Sequence, residues 1–187
     1  MTNLNQPKSI LTRKNSQLMG LSSIVRNILL GIPIGVTFVN TVGYVARVEG
    51  ISMQPALNPN AKEYDYVFLN CWTVHNYNIN YGEIISFKSP KNPEQKLIKR
   101  VIGLEGDEVR TIGYHTSILR VPEGHCWVEG DNTNHSVDSN TFGPLSLGLV
   151  IAKATHVVWP PSRWQHLNSL IPKHRSPLRV SKQSQPA

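Results

Sequence analysis

Leu97–Asp107 reads Leu-Ile-Lys-Arg-Val-Ile-Gly-Leu-Glu-Gly-Asp. Its first six residues are apolar, half of them β-branched, apart from one Lys-Arg pair, and a turn with two glycines follows. That is the pattern of a strand closing in a tight turn. Successive side chains of a strand point to opposite faces. Leu97, Lys99 and Val101 therefore share one face, and Ile98, Arg100 and Ile102 share the other. If both faces are covered, Lys99 is held among apolar neighbours. Burial disfavours the ammonium form and lowers a lysine's pKa, so such a lysine can accept a proton near neutral pH. Arg100 cannot do this, because a guanidinium keeps its charge. Taken alone, the strand fits a second and commoner reading better, a lysine at a sheet edge whose head snorkels into water.

Moving outward, the surrounding segments have the same character. Tyr66–Asn70, Glu83–Lys88, Glu108–Thr111, Cys126–Glu129 and Ile151–Trp159 are short β-type runs separated by turn residues. Residues 47–161 are expected to form one mainly antiparallel β domain. Residues 162–187 are expected to be a short helix or surface segment followed by a disordered tail, because the tail is basic and rich in Pro, Ser and Gln.

The N-terminal part differs. Residues 1–27 are basic, with Lys8, Arg13, Lys14 and Arg26 and no acidic residue. Ile28–Val45 is apolar and carries no charge over 18 residues. As a helix it would be roughly 27 Å long, close to a bilayer core of about 30 Å. A transmembrane helix is therefore expected over 28–46. Gly31, Pro33, Gly35 and Gly43 are tolerated in such a helix. A buried helix and a signal peptide compete with this reading, but no small-residue cleavage site follows the run. Positive residues precede it and few follow, which places the rest of the chain on the outer side.

Length and charge narrow the classes further. The chain has 187 residues and a net charge of +7. The basic residues are scattered, without a dense run or a zinc-finger or RNA-binding motif, so nucleic acid is not expected as a partner. Cys71 and Cys126 make no disulfide framework or zinc site. They are either one bridge in an oxidising compartment or, more simply, buried free thiols. No metal or other cofactor is expected.

Two further segments carry chemistry. Val48–Asn58, Val-Glu-Gly-Ile-Ser-Met-Gln-Pro-Ala-Leu-Asn, sets Ser52 between Gly50 and Pro55, directly after the apolar run. It is an ordinary turn or a rigid loop presenting a nucleophile at a membrane surface. Glu129–Pro144 is dense in Asp131, Asn132, Ser136, Asp138 and Ser139. Such residues bond to nearby backbone, in a solvated loop or in a network supporting a site. A Ser-His-Asp arrangement through His135 and metal binding by His125, His135 and Asp131 compete with this reading. The first lacks a nucleophile elbow and the second lacks known ligand spacing.

Together the three segments resemble the type I signal peptidase family. Ser-Met-Gln-Pro-Ala-Leu at 52–57 is similar to its serine box, Ile-Lys-Arg-Val-Ile-Gly-Leu-Glu-Gly-Asp at 98–107 to its lysine box, and Gly-Asp-Asn-Thr-Asn-His-Ser-Val-Asp-Ser-Asn at 130–140 to its distal box. The resemblance implies an antiparallel β catalytic domain of signal-peptidase type and a membrane-bound serine endopeptidase. It implies Ser52 as nucleophile and Lys99 as general base, with Ser136 orienting the lysine and Asp138 and Asp131 supporting the network. Bacterial members often carry Ser two positions before the nucleophile, where this chain has Gly50. The oxyanion hole is therefore assigned to the Ser52 backbone N–H. The distal box usually ends in Arg, and here it ends in Asn140. The small size, single anchor and Asn ending look most like the mitochondrial inner membrane branch, in its subunit 2 type. That implies a related catalytic subunit 1 as heterodimer partner and inner membrane lipid around the anchor. The substrates implied are presequence-bearing precursors cut on the intermembrane-space side. A bacterial, plastid or secretory-pathway signal peptidase, or a non-catalytic stabilising subunit, remains the alternative.

Overall fold

In the computed structural model the described residues are 23, 25–37, 41–60, 63–74, 78–172 and 175–178. They divide into two units, residues 1–40 and residues 41–187.

In the first unit, residues 25–37 are helical, and Val25, Ile28, Leu29, Leu30, Ile32, Ile34 and Val36 are exposed. Among the described residues no helix is long and apolar enough to cross a membrane. The expected span over 28–46 also ends too late. Residues 38–40 lie outside the described ones, and Gly43–Arg47 is a strand. The cause is close packing at Gly43. A Cβ there would lie 2.3 Å from the Leu69 carbonyl oxygen, so this glycine lets two strands meet where an apolar run alone suggests more helix.

Among the described residues of the second unit ten strands follow in order: β1 (Gly43–Arg47), β2 (Tyr66–Asn70), β3 (Ile84–Lys88), β4 (Lys96–Gly103), β5 (Glu108–Arg110), β6 (Ile118–Arg120), β7 (His125–Glu129), β8 (Leu145–Ser146), β9 (Val150–Trp159) and β10 (Gln165–His166). Eight of them make one sheet in the order β1-β2-β9-β3-β4-β7-β8, with β10 on β9. β5 and β6 form a separate hairpin. All strand pairs are antiparallel, so the expected mainly antiparallel β architecture holds. Six of the strands fall where the apolar runs placed them.

Strand β4 lies between two apolar clusters. Val101 is buried with Ile85, Phe87 and Val128, and Leu97 packs against that group. Ile98 packs against the cluster of Met53, Leu57, Val67, Ile84 and Val157. Both faces are thus covered, as a proton-accepting Lys99 requires. A third cluster, Ile102, Val109, Val121 and Trp127, joins the β5–β6 hairpin to the sheet. Full burial of side chains such as Phe87 and Leu57 contributes roughly 1.5–3 kcal/mol each, which fixes the strands that carry the site.

Residues after β9 are more ordered than their composition suggests. Pro161–Arg163 is a single 3-10 turn, and Gln165–His166 pairs with β9. Arg175, within the expected tail, is buried. Cys71 and Cys126 are both buried free thiols. Burial pushes the Cys126 thiol up to about 12, which makes it unreactive.

Candidate active site

The serine loop is built by anchoring. Val48, Met53 and Leu57 are buried in the first apolar cluster on either side of Ser52. Between them the chain turns, closed by Gln54 N–H donating to the Ile51 carbonyl (3.1 Å) and Leu57 N–H to the Met53 carbonyl (2.9 Å). Asn58 ties the turn to the domain. Its Nδ2 donates to the carbonyls of Val48 (2.9 Å) and Gly50 (3.0 Å), and its Oδ1 accepts from Asp65 N–H (2.7 Å). Asp65 is held in turn by Arg163 at 2.8 and 2.9 Å. Three buried apolar side chains and one buried asparagine leave Ser52 little freedom.

Lys99 arrives from β4, opposite Ile85 of β3. It is 3% exposed, and its Nζ lies 2.6 Å from Ser52 Oγ. Two residues 47 apart in sequence thus meet. Burial lowers the Lys99 pKa from 10.5 to about 8, against the smaller raising effect of Asp138 and Asp131. A buried amine that keeps so little of its affinity for the proton is suited to general base work.

The distal box closes the site from the end of β7. Asn132 N–H donates to the Ser52 carbonyl (3.0 Å), and Asn132 Nδ2 to the Ile51 carbonyl (3.2 Å). Asp138 Oδ2 accepts from Gly130 N–H (2.9 Å), and Oδ1 accepts from Asn140 N–H (3.0 Å). Ser139 Oγ accepts from Val128 N–H (3.0 Å). Gly130 is required here. A Cβ on it would lie 2.5 Å from the Ser52 carbonyl oxygen and 2.3 Å from Ser136 Oγ.

Each residue named from sequence can now be placed. Ser52, Lys99, Asp131, Asp138 and Ser136 all belong to this junction. Asp131 takes both its oxygens to Arg100, at 2.8 and 2.7 Å, so it reaches Lys99 through its charge alone. Ser136 departs from its expected role. Its Oγ is buried without a hydrogen-bond partner, and among the described residues the hydrogen bond of Lys99 Nζ goes to Ser52. Ser136 packs closely against Gly130. Gly50 has φ +84° with open space where a Cβ would be. Its carbonyl is turned to Asn58. Among the described residues nothing accepts from the Ser52 N–H, which leaves that donor available to an oxyanion. His135 is exposed, and among the described residues no hydrogen bond joins it to Ser52.

The sequence reading missed several supports: Asn58 and Asp65 beneath the serine loop, Arg100 on Asp131, and Glu129 with Arg175. A carboxylate ending an apolar strand is the one signal available for the last pair, because once buried it needs a counter-charge.

Residues 21–118 and 110–159 match the family described as Signal peptidase, peptidase S26. The chain is 56% identical over 156 residues to mitochondrial inner membrane protease subunit 2 of Mus musculus, covering 83% of this chain and 89% of that protein. To the subunit 2 of Saccharomyces cerevisiae it is 48% identical over 147 residues, 75% of this chain and 83% of the relative. To mitochondrial inner membrane protease subunit 1 of Homo sapiens it is 38% identical over 137 residues, 72% of this chain and 80% of that protein.

Proposed function

This chain belongs to the signal peptidase family, peptidase S26, and from that premise we propose that Ser52 and Lys99 are its catalytic pair. The enzyme is a serine protease of signal-peptidase type, of the mitochondrial inner membrane kind. The observation that carries the pair is the 2.6 Å contact from a lysine amine buried in apolar surroundings to a hydroxyl on an anchored loop.

Neutral Lys99 takes the proton of Ser52 as Oγ attacks the scissile carbonyl. The Ser52 N–H donates to the oxyanion, a contact of a kind worth roughly 10²–10³ in rate. Lys99 then gives its proton to the leaving amine, and a water activated by the same amine hydrolyses the ester. The substrate is a presequence in extended form. Tyr44 and Ala46 of β1 and Ile98 of β4 are half-buried on the apolar cluster next to the serine loop. Lys96 lies 5.5 Å from the Tyr44 ring centroid, which brings the start of β4 to the edge strand. That surface is the proposed seat of small side chains near the cut.

The proposal extends to place and partner. The protease sits in the mitochondrial inner membrane by one N-terminal helix, with residues 41–178 on the intermembrane-space side, and pairs with a related subunit 1. The relatives' names support the membrane and the existence of two subunits. The test is profiling of new N-termini in mitochondria carrying wild type, Ser52→Ala or Lys99→Met. Both variants are expected to fold and to leave presequences uncut. Processing retained by either purified variant refutes the pair.

A further inference from the structure

Arg175 comes from the segment after the last strand, outside all three motifs, and is 8% exposed. Its Nε donates to Glu129 Oε2 at 2.6 Å, a second guanidinium nitrogen reaches Glu129 Oε1, and that nitrogen also donates to the Arg110 carbonyl at 2.9 Å. The segment is tied down on both sides. Ile171 packs on the third apolar cluster, and Leu178 N–H donates to the Glu108 carbonyl at 2.8 Å.

Glu129 is 2% exposed and is the last residue of β7. Besides Arg175 it accepts from Trp127 Nε1 (2.8 Å) and from Asn140 Nδ2 (3.0 Å). Asn140 Nδ2 also reaches Asp138 Oδ1 (3.2 Å), and Asn140 Oδ1 accepts from Ile112 N–H (2.6 Å). Asp138 holds Gly130 N–H, and Gly130 is packed against the carbonyl of Ser52. A continuous run of hydrogen bonds therefore leads from the guanidinium to Gly130 N–H, and close packing carries it on to the nucleophile's own carbonyl.

Three buried acceptors and donors in that run have fixed demands. A carboxylate this deep stays ionised only with a counter-charge and filled acceptor sites. Arginine meets this with a planar fork that fixes both oxygens, which a lysine cannot do. With Glu129 fixed, one oxygen is aimed at Asn140, and the amide of Asn140 is thereby committed to Asp138. We propose that Arg175 is a positioning residue for the peptidase reaction. Through Glu129 and Asn140 it sets Asp138, and with it Gly130 against the serine loop, so the C-terminal segment is part of the catalytic assembly. This rests on the assignment of Ser52 and Lys99.

The experiment compares kcat, KM and the pH profile of presequence-peptide cleavage for the full-length chain in detergent, as wild type, Arg175→Met and Arg175→Lys. Arg175→Met is expected to lower kcat at least tenfold with KM within twofold. It leaves Glu129 without its counter-charge, which adds negative charge on the Asp138 side of Lys99, so the acid limb of kcat moves to higher pH. Arg175→Lys keeps the charge and loses the fork, so kcat falls about threefold and the limb stays in place. A purely scaffolding role would reduce the folded fraction and leave the limb of the remaining activity unmoved, and that result overturns the proposal. If Arg175→Met does not fold, Arg175→Lys decides, and wild-type kcat in it overturns the proposal. Ser52→Ala runs in parallel. Cleavage by that variant would sink the catalytic pair itself, independently of either Arg175 variant.

Discussion

Lys99→Met is expected to abolish cleavage and yet stabilise the domain at neutral pH. The Lys99 pKa is lowered from 10.5 to about 8. Each tenfold change in proton affinity is worth about 1.4 kcal/mol, so holding the charged amine in the fold costs on the order of 3 kcal/mol. The sign follows from proton counts. Below pH 8 both folded and unfolded chains carry the proton, and the folded state bears the whole cost. Between 8 and 10.5 the unfolded chain binds more protons, so wild-type stability rises with pH. Above 10.5 both are neutral and the cost is gone. Methionine never bears it, and loses one hydrogen bond to Ser52 Oγ, worth about 1 kcal/mol at all pH values. Thermal melts of the full-length protein in detergent from pH 7 to pH 10.5 read the difference. Groups that titrate alike in both proteins cancel. The gain of the variant over wild type should shrink by roughly 10 °C across that range. The wild-type kcat/KM should rise through an acid limb near pH 8, because cleavage needs the neutral amine. A stability difference that is constant with pH would show that Lys99 is solvated and ordinary, and the reasoning would fail with it.

Other substitutions test the supports around the pair. Gly130→Ala should lower kcat about a hundredfold by displacing the serine loop, and Ser136→Gly in the same chain should not restore it, because the obstructing Ser52 carbonyl remains; restored kcat would show that the loop is not what Gly130 protects. Asn58→Ala removes three side-chain hydrogen bonds, two of them buried, and places alanine at φ 51°, so urea unfolding should show a loss of about 3 kcal/mol, and a loss under 1 kcal/mol would contradict the clamp. His135→Ala should leave kcat and KM unchanged in peptide cleavage, since the ring is exposed; an inactive variant would revive a histidine base.

What the sequence makes legible depends on the range of the interaction. Strands β2, β3, β4, β5, β7 and β9 announce themselves in apolar runs, because burial on a pleated sheet is a local pattern. β1 does not, since its residues continue an uncharged run and only the approach of Leu69 distinguishes strand from helix. β8 and β10, of two residues each, carry no periodicity at all. The pair of Ser52 and Lys99 was readable as chemistry from resemblance, whereas their contact is a product of the fold. Arg175 was hidden for the opposite reason. It sits in a polar, proline-containing segment that composition marks as solvated, and with 19 Lys and Arg in the chain nothing local says which one neutralises Glu129.

Lys99 and Arg100 together show how one strand makes a base and a structural cation side by side. They are adjacent, both buried at 3% and 6% exposure, and they point to opposite faces. Arg100 donates to both oxygens of Asp131 and to the carbonyls of Gly82 (2.7 Å) and Asn168 (3.1 Å). Lys99 Nζ donates to one hydroxyl oxygen. One of the two acidic groups that act on Lys99 is thus committed to the arginine, and the lysine is left with desolvation as its largest influence. The distribution follows from chemistry: a guanidinium cannot give up its charge and must be paired when buried, whereas an amine can shed a proton and need not be. Pairing Asp131 with Arg100 therefore does two things at once. It satisfies the cation that has no other way to be buried, and it keeps Lys99 free of the salt bridge that would hold its proton in place.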